Sequence, residues 1–147
     1  MIKAIYFDMD GTIADLYAVN GWLEMLRALD PTPYEQAKPL VNMSRLARYI
    51  HKAQRMGVEV GIVSWLSKEP DPEYDLAVIE AKKAWLKAHL PSVTFDEIAI
   101  VAHGTPKSEV VSNATFGVLF DDEERNRMEW VGEAFTPEEI FKFFKNM

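Results

Sequence analysis

The sequence contains no cysteine among its 147 residues. That absence excludes a disulfide framework and a thiolate metal site, so zinc is not an expected cofactor. No segment approaches the ~20 consecutive apolar residues that a membrane-spanning helix needs. Lys3 interrupts the apolar N-terminal segment, which argues against a signal peptide. Together these absences predict a soluble, cytoplasmic protein that has no membrane partner.

Positive charge is also scarce in this chain. Lys and Arg number 16 against 23 Asp and Glu, which gives a net charge of −7. Polynucleotide-binding proteins usually carry a basic surface, so nucleic acid is disfavoured as a partner. Four basic residues lie at helical spacing, and we interpret them as the solvated face of a helix: Arg45, Arg48, Lys52 and Arg55.

Apolar content is high enough for one compact domain over residues 1–147, because 48% of the residues are hydrophobic and 12% are aromatic. Apolar runs predict strands near 2–8, 58–63, 97–102, 116–121 and 132–135. Helical spacing, with Ser44 and Thr136 as capping residues, predicts helices near 20–29, 44–56, 73–90, 106–112 and 137–146. Since strands and helices alternate, the predicted fold class is α/β, with a mostly parallel sheet between helical layers.

The segment Asp8-Met9-Asp10-Gly11-Thr12 directly follows the first predicted strand. Two carboxylates one residue apart at a strand end are costly unless a cation or a shared proton lies between them. A hard cation such as Mg²⁺ suits this pattern, because it binds few protein carboxylates and leaves positions for phosphate oxygens. One aspartate could then attack phosphorus while the other moves a proton. The alternative is an ordinary Asp-Gly turn after a strand.

Polar residues also follow two later strands. Ser64 comes after the run 58–63, where its hydroxyl could donate to a phosphoryl oxygen. Lys107 comes after the run 98–102, and the preceding Thr105 and Pro106 predict that a helix begins there. A lysine in the first turn of a helix opposes the helix dipole, which favours a functional role over a solvated one.

Two adjacent acids, Asp121 and Asp122, follow the last long apolar run. Neighbouring carboxylates repel each other unless a cation or hydrogen-bond donors intervene. A solvated acidic turn leading into Glu123 and Glu124 is the alternative. All these polar segments come after predicted strands, so they should meet at the carboxyl edge of the sheet, where open parallel sheets bind their ligands.

In their order along the whole chain, these four segments resemble the four motifs of the haloacid dehalogenase (HAD) superfamily, most of whose members are Mg²⁺-dependent phosphohydrolases. The resemblance implies a Rossmann-like three-layer sandwich and a phosphatase that works through an aspartyl-phosphate. Asp8 would be the nucleophile and Asp10 the general acid and base. The expected phosphate-binding residues are Ser64, Lys107, Gly11 and Thr12.

The resemblance also implies a set of metal ligands. Mg²⁺ would be held by Asp8, by the main-chain carbonyl of Asp10, and by a carboxylate of the pair Asp121 and Asp122, which the sequence does not rank. The chain departs from larger relatives at about 15–43, where they insert a cap domain and this chain has room for little more than one helix. That helix could lie on the core or form a reduced cap. An open site would suit a bulky substrate or a homo-oligomer in which a second subunit completes the lid.

Two subfamilies share local features with the chain. Residues 119–126 are similar to the fourth-motif region of the 5′-deoxyribonucleotidases, whose cap is larger. Residues 68–74, 104–107 and 120–122 resemble segments of the phosphatase domain of phage polynucleotide kinase-phosphatase. We therefore expect a small phosphorylated substrate, with nucleotides ahead of nucleic-acid 3′-phosphates. A phosphotransferase and a binding protein on the same core are the remaining alternatives, although every polar motif position is retained.

Overall fold

The computed structural model describes all 147 residues, which form seven strands and six α-helices. The strands are β1 (Ala4–Phe7), β2 (Ala14–Asp15), β3 (Lys38–Pro39), β4 (Glu59–Trp65), β5 (Glu97–Val101), β6 (Gly117–Phe120) and β7 (Glu133–Phe135). The helices are α1 (Trp22–Arg27), α2 (Thr32–Gln36), α3 (Met43–Arg55), α4 (Pro72–His89), α5 (Glu124–Glu129) and α6 (Ile140–Lys145). None of these helices is both long and apolar enough to cross a membrane.

Five strands form one sheet in the order β5-β4-β1-β6-β7, and every neighbouring pair is parallel. The central strand β1 places Tyr6 beside Gly61 of β4 and Leu119 of β6. The predicted α/β class with a parallel sheet is confirmed. Because parallel strands end at the same edge, the segments that follow β1, β4 and β6 converge there.

Alternation along β1 divides the core between the two faces of the sheet. Ile5 and Phe7 face the larger cluster, in which Phe7 stacks on Phe120 with ring centroids 5.4 Å apart. The helices α3, α4 and α6 complete this cluster with Leu46, Ile50, Trp85, Leu86, Ile140 and Phe144. Since successive side chains of a strand point to opposite faces, Ala4 and Tyr6 belong to a second cluster on the other side.

The second face of the sheet is covered by fewer helical residues than the sequence predicts. Tyr6 packs edge-on against Trp130, which follows α5, with ring centroids 5.6 Å apart. The predicted helix at 106–112 is wrong, because only one 3-10 turn forms, at Lys107–Glu109. The Thr105 hydroxyl donates to the carbonyl of Ala102 at 2.7 Å instead of capping a helix. Lys107 therefore does not lie in the first turn of an α-helix, and no helix dipole opposes its charge.

The other predicted helix starts lie close to the observed ones. Helix α3 is capped by Asn42, whose side chain accepts from the N–H of Arg45 at 2.9 Å, so the predicted cap at Ser44 is wrong by two residues. The predicted cap at Thr136 forms a capping box with Glu139, although the first turn is 3-10 and α6 follows it. Helix α5 was not predicted, because its short run of charged residues has little apolar periodicity.

The segment 15–43 contains two short helices where the sequence predicts one helix at 20–29. Helix α1 covers only 22–27 and buries none of its residues. Helix α2 lies outside the predicted helices, and its Tyr34 packs with Leu16 against α4. Helix α2 therefore lies on the body of the protein while α1 stays on the surface, and a reduced cap remains a prediction.

Candidate active site

Three strand ends bring the predicted site residues together. Asp8 directly follows β1, and Asp121 directly follows β6. Ser64 is the second-last residue of β4. Since β1 lies between β4 and β6, Asp8 sits at the centre of this group. Strand β4 extends through Trp65, so Ser64 is within the strand, not after it as predicted.

The chain turns sharply after Asp8. The carbonyl of Met9 accepts hydrogen bonds from the N–H groups of residues 12–14 at 3.0 to 3.1 Å. Gly11 has a φ of 83°, a left-handed conformation that favours glycine. A Cβ at Gly11 would also overlap the carboxylate of Asp122. Gly11 thus permits both the turn and the close approach of Asp122.

Lys107 joins two of the acidic residues. Its Nζ donates to Asp8 Oδ1 at 2.9 Å and to Asp121 Oδ2 at 2.7 Å, and the residue is only 5% exposed. Burial opposes the charge on Lys107, but the two carboxylates outweigh it and raise the pKa of the lysine. Lys107 is therefore a permanent cation in contact with the predicted nucleophile.

Three carboxylates form a cluster around this cation. One oxygen each of Asp8, Asp121 and Asp122 lies within 4.8 Å of the others. Burial, followed by the charge of Asp8, raises the pKa of Asp121 to about 6 and that of Asp122 to about 8. Three acidic groups beside one lysine supply the oxygen donors that suit a hard divalent cation, and a bound cation would favour their charged forms.

Asp121 and Asp122 differ in the number of hydrogen bonds that their carboxyl groups make. Asp121 is fully buried, and its carboxylate accepts from Lys107, from Asn126 Nδ2 at 3.2 Å and from the N–H of Glu123 at 3.0 Å. The Asp122 carboxyl group contacts the carboxyl group of Asp8 and lies 3.5 Å from the Thr12 hydroxyl. Asp122 therefore keeps more free acceptor capacity than Asp121 does.

The carboxylate of Asp10 contacts a different lysine, which the sequence did not lead us to predict. Lys82 of α4 is 1% exposed, and its Nζ donates to Asp10 Oδ2 at 3.0 Å. Burial raises the pKa of Asp10, while Lys82 acts in the opposite direction. A signal was available in the sequence, since Lys82 lies four residues from both Val78 and Leu86 on the buried face of the helix.

The remaining predicted phosphate-binding residues lie behind the surface of the site. Thr12 is fully buried, and its hydroxyl donates to Asp8 Oδ2 at 3.0 Å. Ser64 is also fully buried, and its Oγ accepts from Lys82 at 2.7 Å. Neither residue lines the cavity, and Gly11 does not line it either. Thr12 therefore contacts the predicted nucleophile directly, and phosphate contacts from these three residues remain predictions.

A cavity of about 470 Å³ opens above the acidic cluster. Asp8, Asp10 and Lys107 lie on its wall together with both acids of the fourth motif. Apolar and aromatic side chains supply much of the rest: Leu16, Tyr17, Trp22, Leu23, Leu26, Leu29, Tyr34, Trp65 and Leu66. Helix α1 contributes several of them, so its unburied apolar side chains face the site.

Two aromatic pairs flank this cavity. On the core side, the rings of Trp65 and His103 lie 4.7 Å apart, and Trp65 Nε1 donates to the carbonyl of Thr105 at 2.8 Å. On the side of the segment 15–43, Tyr17 and Trp22 form an edge-to-face pair with centroids 5.0 Å apart. Burial, followed by the charge of a nearby lysine, lowers the pKa of His103, so its ring is neutral near pH 7. The walls thus offer uncharged aromatic surface next to the acidic cluster.

Comparison with known proteins agrees with this fold. No protein-family profile matches the sequence, and no curated protein matches it. Among solved structures, the D,D-heptose 1,7-bisphosphate phosphatase from Burkholderia thailandensis matches with a TM-score of 0.51. The match covers 86% of this chain and 70% of that chain, at 14% sequence identity. The likeness shows a shared α/β, Rossmann-like fold, as the sequence predicts.

The raised pKa of Asp122 predicts a dependence of stability on pH. Its native carboxyl group keeps a proton that the unfolded chain loses above about pH 4. In metal-free buffer, the free energy of unfolding should therefore fall as the pH rises from about 4 toward about 8. Urea unfolding at a series of pH values, with EDTA present, measures this slope.

The variant Asp122→Asn should flatten that slope and raise the stability near pH 8, because one of the repelling carboxylates is gone. Glu124→Gln is the matched control, since Glu124 is exposed and lies only two residues away. Equal slopes for Asp122→Asn and the wild-type protein would show that the Asp122 carboxyl group is not perturbed by the cluster.

Proposed function

We propose that the protein is a HAD-type phosphatase that hydrolyses phosphomonoesters with Mg²⁺ through an aspartyl-phosphate. The observation that carries this proposal is the contact of Lys107 with Asp8 at the centre of three carboxylates on the cavity wall. A nucleophile, a cation beside it and a cluster of oxygen ligands are the components that phosphoryl transfer requires. The shared fold with a known phosphatase supports the same proposal.

The donor set fits Mg²⁺ in its chemistry. Oxygen ligands from Asp8, Asp122 and the main-chain carbonyl of Asp10 would hold the ion, and the close approach of three carboxyl groups favours it. Asp121 would act mainly by holding Lys107, because its carboxylate already accepts three hydrogen bonds. When bound, the ion would neutralise charge on the phosphoryl oxygens.

The protein groups then divide the reaction between them. A carboxylate oxygen of Asp8 forms a bond to phosphorus while the ester P–O bond breaks, and Asp10 donates a proton to the departing oxygen. Water next attacks the aspartyl-phosphate and Asp10 takes up its proton, which releases phosphate and restores Asp8. Lys107 offsets the charge of Asp8, so that the carboxylate and the anionic phosphoryl group can approach each other.

For the substrate, we infer a nucleoside monophosphate ahead of a nucleic-acid end. The aromatic pairs beside the site suit a flat, uncharged ring, since such stacking contributes roughly 1–3 kcal/mol per base in single-strand binders. A polynucleotide would need cations along its path, and the cavity wall holds only Arg27 and Lys68 besides Lys107. None of the four basic residues on α3 lines the cavity.

Replacement of the nucleophile tests the proposed chemistry. Asp8→Asn should lower kcat by at least ~10³-fold with a nucleoside monophosphate, because the covalent route is lost. Far-ultraviolet circular dichroism should show an unchanged fold. Asp15→Asn is the matched control, because Asp15 makes no ion pair and does not line the cavity. Substantial wild-type activity in Asp8→Asn would rule out the covalent mechanism.

A second test addresses the substrate class. The value of kcat/KM for a nucleoside monophosphate should exceed that for a 3′-phosphorylated oligonucleotide at every salt concentration and depend weakly on salt. Trp22→Ala should lower that value for the monophosphate by roughly fivefold or more, because a stacking surface is lost. Glycerol phosphate, which has no ring, should be hydrolysed equally by Trp22→Ala and the wild type.

Helix α1 buries no residue, so Trp22→Ala should not disturb the fold. Preference for the oligonucleotide, with a steep loss of its turnover as salt rises, would instead identify a polynucleotide 3′-phosphatase. Activity on sugar phosphates alone would exclude both substrate classes.

A further inference from the structure

Lys82 is the one buried lysine besides Lys107, and it holds three separate groups. Its Nζ donates to Asp10 Oδ2 at 3.0 Å, to Ser64 Oγ at 2.7 Å and to the carbonyl of Trp65 at 2.7 Å. An ammonium group has three donors, so all of them are used. A buried charge is tolerated only with such partners, and this one connects α4 to the ends of β1 and β4.

The surroundings of Lys82 exclude solvent from these contacts. The ring centroid of Tyr34 in α2 lies 5.1 Å from Nζ, and Tyr34 itself is buried against α4. The neighbouring Lys83, by contrast, is exposed. The segment 15–43 therefore covers Lys82 on one side while it leaves the cavity open on the other.

The hydrogen bonds of Lys82 determine which atoms of its partners remain available. On Asp10, Oδ2 is occupied, so Oδ1 is the oxygen that can carry a proton to the leaving group. On Ser64, Oγ accepts from Lys82, and no protein group accepts the hydroxyl hydrogen. Because Ser64 is fully buried and does not line the cavity, Lys82 fixes this hydroxyl behind the acidic cluster.

We propose that Lys82 is a positioning residue, which fixes the general acid Asp10 and the hydroxyl of Ser64 relative to Asp8. The proposal rests on the phosphatase function proposed above. In the step concerned, the ester P–O bond breaks, its electron pair goes to the leaving oxygen, and the proton on Asp10 Oδ1 passes to that oxygen. Lys82 touches neither the substrate nor the phosphorus in this step, and acts through Asp10.

A comparison of two leaving groups tests this role. A nucleoside monophosphate releases an alkoxide that needs the proton, whereas p-nitrophenyl phosphate releases a phenolate that leaves without one. Lys82→Met should lower kcat/KM for the nucleotide by ~10²-fold or more, and for p-nitrophenyl phosphate by less than ~10-fold, because only the first reaction loses general acid catalysis. Asp10→Asn should show the same selectivity.

The ratio of the two kcat/KM values does not depend on the fraction of enzyme that is folded, so a partly unfolded preparation still gives a result. If Lys82→Met does not fold, the ratio is measured on Lys82→Gln, which keeps two N–H donors and should show a smaller change in the same direction. Lys83→Met is the matched control, and it should leave kcat/KM unchanged for both substrates.

Equal losses on both substrates in the Lys82 variants would overturn the proposal and leave Lys82 with a structural role alone. An inactive wild-type enzyme on both substrates would instead reject the proposed phosphatase function. The activity of the wild type and the selectivity of the variants thus separate the two conclusions.

Discussion

The contact between Lys107 and the carboxylates of Asp8 and Asp121 is the interaction on which the organisation of the site depends. These two acids end neighbouring parallel strands, so the sheet itself forces them together. A buried cation between them reduces a repulsion that would otherwise oppose folding. Such an ion pair contributes little net stability compared with apolar packing, so its presence in the core points to chemistry more than to support of the fold.

Two buried lysines divide the polar groups of the site into separate sets. Lys107 holds Asp8, the proposed nucleophile, and Asp121. Lys82 holds Asp10, the proposed general acid, and Ser64. This separation keeps the Asp10 carboxylate out of the cluster formed by the other three acids. One carboxylate can then exchange protons while the others bind a cation, which is the division of roles that two-step phosphoryl transfer requires.

The sequence was sufficient for the sheet and for the convergence of the main motifs, because each apolar run ends in its polar residue and parallel strands share an edge. It failed where long-range contacts decide the outcome. The segment at 106–112 does not form an α-helix. Val110 and Val111 lie in a loop and pack against the second cluster, which contains Ala4 and Tyr6. The spacing of Lys82 from Val78 and Leu86 indicates a buried position, but its contacts with Asp10 and Ser64 depend on how α4 packs against β1 and β4.

The central claim is that Asp8, beside Lys107 and the acidic cluster, accepts a phosphoryl group with Mg²⁺ bound nearby. Fluorine NMR of the protein with beryllofluoride, which mimics an aspartyl-phosphate, tests it most directly. The account predicts bound fluoride signals only when Mg²⁺ is present, and none in Asp8→Asn. Bound signals that persist in Asp8→Asn, or that are unchanged when EDTA removes the metal, would contradict it.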